Sequence, residues 1–373
     1  MRGHGLRGPV TAFSSGQRPA ALSGSYLVLE LSNRCSLACV HCSVAEGVAH
    51  PHHKVTGRLD PELAYALFDD LAETGTRFDT LILFWLGEPL LHPHFGPIYR
   101  AALRAAQQHG SFNKVEVHTN ATHLDARRIR GALNASPVPQ VWHFSLDAAS
   151  QETYTPIKGK DRFDRVQANV ADFIVARAQL AAPYPRPVFQ FIVGSNNVHE
   201  VGAFRAHWEG VCKQAGVPVR AAAQHVPPGT DAVVFFRQLD CPTTEMQARE
   251  NAVFRQAMEE QGLPLPRQDK APVQVAAKNL SPCSGYWKSP VIGWDGKLTV
   301  CTRDNRLENS VGTLAESSFG ELWYGEKLQE RRERVAQGDY SLTPLCTTCF
   351  IPKSSNHSDI NADEIATFNR RNP

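Results

Sequence analysis

Nowhere in the 373 residues do the roughly 18 consecutive apolar residues of a membrane span occur. An excess of one charge sign is also missing. The chain has 39 Lys and Arg against 37 Asp and Glu, a formal net charge of +2. That excludes an extended surface for nucleic acid or for an anionic membrane. Residues 1–24 are rich in Gly, Ser and Arg and lack the continuous apolar core of a secretion signal. They read as a flexible lead-in, and the protein is expected in the cytoplasm, where thiols stay reduced. The chain has nine cysteines, and in that compartment their expected use is metal binding rather than disulfides. An apolar content of 42% is ample for a core, and the length suits one large domain plus an appendage.

Three of the cysteines fall in Cys35-Ser-Leu-Ala-Cys39-Val-His-Cys42, directly after the apolar run Tyr26–Leu31. The spacing suits neither a disulfide nor a four-thiol zinc site. Three close thiols on one loop can hold three corners of a cubane iron–sulfur cluster and leave the fourth iron open to an exchangeable ligand. A zinc loop, or buried cysteines acting as small hydrophobes, are the alternatives. The His-rich stretch that follows, with His50, His52 and His53, has no apolar period and reads as a solvated loop.

From there the pattern alternates. Asp60-Pro61 starts a helix with Asp60 as N-cap and Leu63, Leu67 and Leu71 on the buried face. Thr80–Trp85 is a short apolar strand, followed by a helix over Phe95–His109. Lys114–Thr119 is a strand, a helix opens near Asp125, Val141–Leu146 is a strand and Asp161–Leu180 a long amphipathic helix. Val188–Val193 is the fifth strand, Asn197-x-x-Glu200 reads as a capping box for a helix closed by Gly216, and Val217–Gln224 is the sixth strand. Six strands alternating with helices imply parallel β/α units, either an open doubly wound sheet or a barrel. Glu88, Thr119-Asn120, Ser145 and Asp147 all lie at strand C-terminal ends beside the cysteine loop, where such folds gather their chemistry.

These residues resemble, in order, the signature of the radical S-adenosylmethionine (SAM) superfamily. The C-x3-C-x2-C loop is similar to its cluster loop, with His41 in the place of the usual aromatic residue, beside adenine. Gly87-Glu88-Pro89 resembles the family's G-G-E-P motif for the SAM amino group, with Leu86 in place of the first Gly. Thr119-Asn120 resembles its T-N-G segment, with Ala121 where Gly is usual, and Ser145 with Asp147 resembles the fourth-strand S-x-D. The resemblance implies a partial (β/α)6 TIM-like barrel over 25–224, a 4Fe–4S cluster on Cys35, Cys39 and Cys42, and SAM across the strand ends.

Residues 225–281 differ in texture, carrying Pro227-Pro228-Gly229, Cys241-Pro242 and a helix over Thr244–Gln261. They read as an insertion that shapes the substrate pocket. Beyond it Val291–Trp294 and Lys297–Val300 flank Asp295-Gly296, a type I′ hairpin signal that brings Cys283 near Cys301. A helix over Phe319–Val335 leads to Cys346-Thr-Thr-Cys349. Four converging thiols close a site, and by spacing alone zinc and iron–sulfur fit equally. The pattern resembles the SPASM/twitch extension of radical SAM enzymes. With no cysteine after Cys349 it is similar to the one-cluster twitch form, which implies an auxiliary 4Fe–4S cluster over 282–352, followed by a tail at 353–373.

The resemblance implies a radical SAM oxidoreductase that oxidises a small molecule, such as a sugar or aminocyclitol alcohol, and draws electrons from a donor such as flavodoxin or ferredoxin. A peptide-modifying maturase is the alternative substrate class, and an epimerase with Cys241 as hydrogen donor the alternative reaction. Arg220 and His225, near the sixth strand's end, are candidates for acid/base work. Cys212 follows a helical pattern and is expected in the core.

Overall fold

The computed structural model describes residues 23–42, 55–133, 136–180, 183–241, 243–265, 282–349 and 360–371; His50, His52 and His53 lie outside them. Five β/α repeats appear in the expected order. Strand β1 (Ser23–Leu29) is followed by α1 (Pro61–Thr74), β2 (Arg77–Ile82) by α2 (Phe95–His109), and β3 (Phe112–Thr119) by α3 (Ala126–Ala132). Strand β4 (Gln140–Ser145) is followed by two helices, α4 (Gln151–Lys158) and α5 (Phe163–Gln179), and β5 (Arg186–Val193) by α6 (Val201–Gln214). Asp60 caps α1 through the Glu62 amide as expected, and Asp125 caps α3 through that of Arg128.

The strands β1 to β5 pair in parallel, each with the next. Two strands then depart from simple alternation. β6 (Val219–Ala223) forms the sheet edge, and β7 (Ala232–Gln238) slots between it and β5. β7 falls in the segment read as insertion. Its run Ala232-Val-Val-Phe-Phe236 is buried on both faces, the pattern of a central parallel strand. The sheet stays open, as a partial barrel does.

Successive side chains point to opposite faces of a strand. Val115, Val117, Trp142, Phe144, Phe189 and Phe191 pack outward under the helices in the main core, with Cys212 fully buried among them. Burying each such side chain contributes on the order of 2 kcal/mol. Val141, Val188, Val233 and Phe235 form a separate apolar cluster on the inner face. Glu116, His118, His143 and Gln190 share that inner parity.

The C-terminal module extends the same sheet at its other flank. β8 (Val291–Ile292) pairs in parallel with β1, then antiparallel with β9 (Lys297–Thr299), which pairs with β10 (Gly312–Thr313). In the hairpin only Gly296, at φ 79°, has positive φ. The turn therefore carries one left-handed residue rather than the two of a type I′ turn. The helix expected over Phe319–Val335 is two, α9 (Phe319–Trp323) and α10 (Glu326–Ala336), the first held by a Ser318–Glu321 capping box. Helix α7 (Thr244–Glu260) follows β7, α8 (Gly285–Lys288) follows Cys283, α11 (Pro344–Thr348) carries Cys346 and ends at Cys349, and α12 (Ala362–Arg371) ends the described chain.

Candidate active site

The cysteine loop leaves β1 and is clamped on three sides. On one side the Glu88 amide donates to the Arg34 carbonyl at 2.8 Å. A Cβ on Gly87 would lie 2.1 Å from the Ser32 carbonyl oxygen, so only glycine permits this approach. On the second, the Ala38 and Val40 amides donate to the Lys158 and Ile157 carbonyls at the end of α4, both at 3.0 Å. There Gly159 holds φ 70°, and a Cβ on it would meet the Ala38 oxygen at 2.4 Å. On the third, Asn120 Nδ2 donates to Cys35 Sγ at 3.5 Å and to Ser36 Oγ at 3.3 Å.

Glu88 and Thr119-Asn120, matched separately along the sequence, meet in space. The Glu88 carboxylate accepts from Thr119 Oγ1 at 2.7 Å, the Asn120 amide at 2.8 Å and the Leu90 amide at 3.0 Å. It is 1% exposed, and burial pushes its pKa up. Expected from sequence to meet the SAM amino group, it also takes three protein donors, which fix the end of β3 and use three of a carboxylate's roughly four acceptor positions. Ala121 adopts φ 59°, which accounts for the glycine expected at that position; a side chain there costs about 1–2 kcal/mol. Glu88→Gln places an amide NH2 against a donor and leaves one buried N–H unpaired, a loss of about 1–3 kcal/mol. SAM affinity is expected to fall about tenfold or more with iron content unchanged, read by equilibrium binding and by cluster absorbance; unaltered affinity would show that the clamp is irrelevant to SAM.

Ser145 and Asp147 join a residue that the sequence reading passed over. Lys158 Nζ lies 2.5 Å from Asp147 Oδ2 and 3.0 Å from the Ser145 carbonyl, with the two side chains 1% and 0% exposed. Burial would raise the Asp147 pKa, but Lys158 and His41 outweigh it and hold it below the usual carboxylate range. Burial likewise opposes the Lys158 charge, and Asp147 more than restores it. Asp147 has φ 61°, and its Oδ1 accepts from the Ile192 amide at 2.7 Å. His41 Nε2 stands 3.8 Å from Asp147, and burial keeps its pKa low. Asn197 does not cap a helix. Its Nδ2 donates to the Asp147 and Ile192 carbonyls at 2.9 Å and its Oδ1 accepts from Gly194, while Glu200 takes the Ala149 amide. The apparent capping box thus supports the Asp147 turn from behind.

In the C-terminal module, Cys283, Cys301, Cys346 and Cys349 come together, close enough to act electrostatically on one another. The sulfurs collect hydrogen bonds. The Arg303 amide donates to Cys301 Sγ at 3.3 Å and Asn309 Nδ2 to Cys346 Sγ at 3.4 Å; Tyr286 Oη is 3.4 Å from Cys346 Sγ. Asp304 organises the loop by accepting from Thr299 Oγ1 and from the Glu308 and Asn309 amides. Two contacts tie this module to the cysteine loop's surroundings. Buried Glu30 accepts from the Leu86 amide at 3.0 Å and the Trp294 amide at 3.1 Å, and its burial pushes its pKa up to about 7. Trp85 Nε1 donates to the Thr302 carbonyl at 3.0 Å, beside Cys301.

Both cysteine groups fit an iron–sulfur cluster better than zinc. Among the described residues neither group brings three sulfurs within 4.8 Å of one another, whereas a tetrahedral zinc with bonds of about 2.3 Å holds its sulfurs about 3.8 Å apart. A cubane is larger, and N–H donors aimed at sulfur are the contacts that set its potential. Burial pushes the thiols of Cys35 and Cys283 up to about 12 and Cys301 to about 11, and it raises Cys39 and Cys346. Bound metal reverses that cost by deprotonating its ligands.

The acid/base candidates fare differently. Arg220 sits at the start of β6, opposite the cysteine loop, where its guanidinium bonds the Pro228 carbonyl and lies 3.9 Å from Asp231. The sequence reading put it near the strand's end; the strand begins at Val219, one residue before it. His225 is exposed just past that strand. Cys241 follows β7 at its C-terminal end, its amide donating to Gln247 Oε1 at 2.9 Å. Its neighbour Asp240 lies 3.9 Å from Arg303. No described helix is long and apolar enough to cross a membrane.

Comparison with known proteins places these features. Residues 29–176 match the model of the radical SAM superfamily, and residues 283–350 that of SPASM, an iron–sulfur cluster-binding domain. A GTP 3',8-cyclase of Corynebacterium glutamicum is 29% identical over 150 residues, 40% of this chain and 38% of that protein. The match thus spans well under half of the relative's own length. The structure of Streptococcus suis SuiB bound to S-adenosylmethionine aligns with a TM-score of 0.55 at 11% identity, over 92% of this chain and 79% of that one. That of BtrN in complex with AdoMet and 2-DOIA aligns at 0.47 and 14% identity, over 91% and 99%. The cofactors are a SAM-binding cluster, SAM and an auxiliary cluster. The chain carries the radical SAM domain and, C-terminal to it, the SPASM domain, and so belongs to the radical SAM superfamily.

Proposed function

We propose that the protein is a radical SAM oxidoreductase that removes two electrons from a polar small molecule, such as a sugar or aminocyclitol alcohol. When bound, SAM and the two clusters supply a carbon-centred radical that takes a hydrogen atom from an unactivated carbon, and an acceptor for one electron. Cys35, Cys39 and Cys42 would hold the first cluster, and Cys283, Cys301, Cys346 and Cys349 the second. Glu88 would fix Thr119 and Asn120 against SAM, with His41, Gly87, Pro89, Ser145 and Asp147 completing the walls around it. The substrate's CH–OH carbon would lose a hydrogen atom, its hydroxyl a proton and the resulting radical an electron, leaving a ketone. An external one-electron donor of the flavodoxin or ferredoxin class would start each turnover.

The observation that carries this reading is the closure of the auxiliary site. Four thiolates leave no iron open for substrate, so electron acceptance and mechanical support are the roles left to it. On the inner face Gln190 offers an amide suited to a hydroxylated substrate. Peptide modification is the rival, since SuiB has also been solved bound to precursor peptide SuiA; an epimerase using Cys241 is the other. Cys346→Ala with Cys349→Ala tests the reading. The variant should keep at least part of its reductive SAM cleavage, measured as 5′-deoxyadenosine without added substrate. It should lose the product oxidised by two electrons when wild type and variant are offered a panel of aminocyclitols and sugars. Circular dichroism must first show a folded chain, because closed metal sites contribute folding free energy. A folded variant that oxidises at the wild-type rate would exclude the electron-acceptor role.

A further inference from the structure

We propose that Glu116, His118 and His143 form a mononuclear site for a divalent transition metal on the inner face of the sheet, separate from both cysteine groups. Glu116 and His118 lie two apart on β3 and so share a face, and the β3–β4 register sets His143 directly beside His118. One donor atom from each lies within 4.8 Å of the other two. His118 Nε2 is 3.3 Å and His143 Nε2 3.8 Å from the same Glu116 oxygen, Oε2. A tetrahedral centre with metal–nitrogen and metal–oxygen bonds of about 2.1 Å spaces its donors about 3.4 Å apart. Two imidazoles and one carboxylate are the donor set of open iron(II), cobalt(II) and zinc sites.

His143 supplies an independent observation. It is 6% exposed, its Nδ1 is buried without a partner, and its Nε2 is beyond hydrogen-bond distance of Glu116. Neither tautomer satisfies it. With the proton on Nε2, Nδ1 is an orphan acceptor. With the proton on Nδ1, the Nε2 lone pair faces a carboxylate oxygen. A cation between that lone pair and Glu116 removes the repulsion on the Nε2 side and fixes the ring proton on Nδ1.

The rings are already held. His118 stacks between Phe84, with centroids 5.3 Å apart, and His143, 4.1 Å apart, while Phe235 meets His143 edge-on. Glu116 turns Oε2 toward both rings. Lys114 Nζ sits 2.6 Å from the other oxygen, Oε1, and so leaves Oε2 to the ion while competing with its charge; Arg237 adds a weaker repulsion.

Cobalt(II) is the probe, added anaerobically to the holoenzyme with both clusters in their oxidised, EPR-silent state. The wild type should gain one equivalent of a saturable high-spin cobalt signal that zinc displaces, since zinc binds such sites more tightly. His118→Ala and His143→Phe, on different strands, should each weaken binding by about 100-fold or more. Lys114→Gln should tighten it several-fold, which a purely structural lysine would not do. Absence of a stoichiometric signal in the wild type overturns the site, as does a signal that survives both histidine substitutions.

Discussion

Alanine at Cys35, Cys39 and Cys42 together is expected to abolish SAM cleavage and leave a folded protein with roughly half the iron of the wild type. The expectation follows from how the loop is attached. Among the described contacts, the loop is held by backbone bonds to the Gly87-Glu88 turn and to the end of α4, neither of which uses a sulfur, and of the two Asn120 contacts only the one to Cys35 Sγ is lost, while the one to Ser36 Oγ stays. Of this loop only Leu37 is a buried apolar side chain, and it is not part of the main core under the outer helices. The second cysteine group is tied to the barrel through Glu30 and Trp85, not through Cys35, Cys39 or Cys42. Removal of three thiols therefore deletes chemistry rather than packing. Iron analysis, visible absorbance and 5′-deoxyadenosine yield under strong reductant give the readout. A triple variant that still makes 5′-deoxyadenosine would remove these cysteines from the radical centre.

The strand-end residues were legible in sequence because each follows a short apolar run whose end marks the barrel rim. What sequence could not supply is how they bond. Glu88 shows this most clearly: its position is fixed by Gly87-Glu88-Pro89, yet its partners lie 31 and 32 residues away, on the last residue of β3 and the one after it. β7 was hidden for a related reason. Its apolar run sits between prolines and a helix with no crossover helix before it, so the alternation that exposed the other strands is lost there. Asn197 and Glu200 have the spacing of a local cap, but tertiary partners on the Asp147 turn outcompete the local bond. Helix α4 is short and has Pro156 inside it, a residue that normally ends a helical pattern. With α4 unseen, Lys158 had no element to place it, and Glu116 and His118 were read only as members of a strand.

Lys158→Met is expected to be among the most damaging single substitutions in the chain. It leaves Asp147, 0% exposed, as an uncompensated buried anion, a change that typically costs about 3–5 kcal/mol. The damage should also reach the cysteine loop, because the Lys158 and Ile157 carbonyls hold the Ala38 and Val40 amides and the ammonium offsets the negative charge that Asp147 places beside Cys39. Asp147→Asn in the same chain removes the stranded charge and should recover most of the lost stability. It should not recover full SAM cleavage, since the cation beside Cys39 stays absent. Thermal unfolding of the wild type, the single and the double variant separates the two effects, with 5′-deoxyadenosine yield measured on the same samples. The acid limb gives a second readout. The folded-state pKa of Asp147 is depressed, so its contribution is complete above the unfolded value of about 3.9 and is lost as pH falls through the folded value. The stability gap between the wild type and the double variant should therefore stay constant from neutral pH down to about 5 and narrow below about 4. A double variant as unstable as Lys158→Met alone would show that Lys158 acts through packing and not through Asp147.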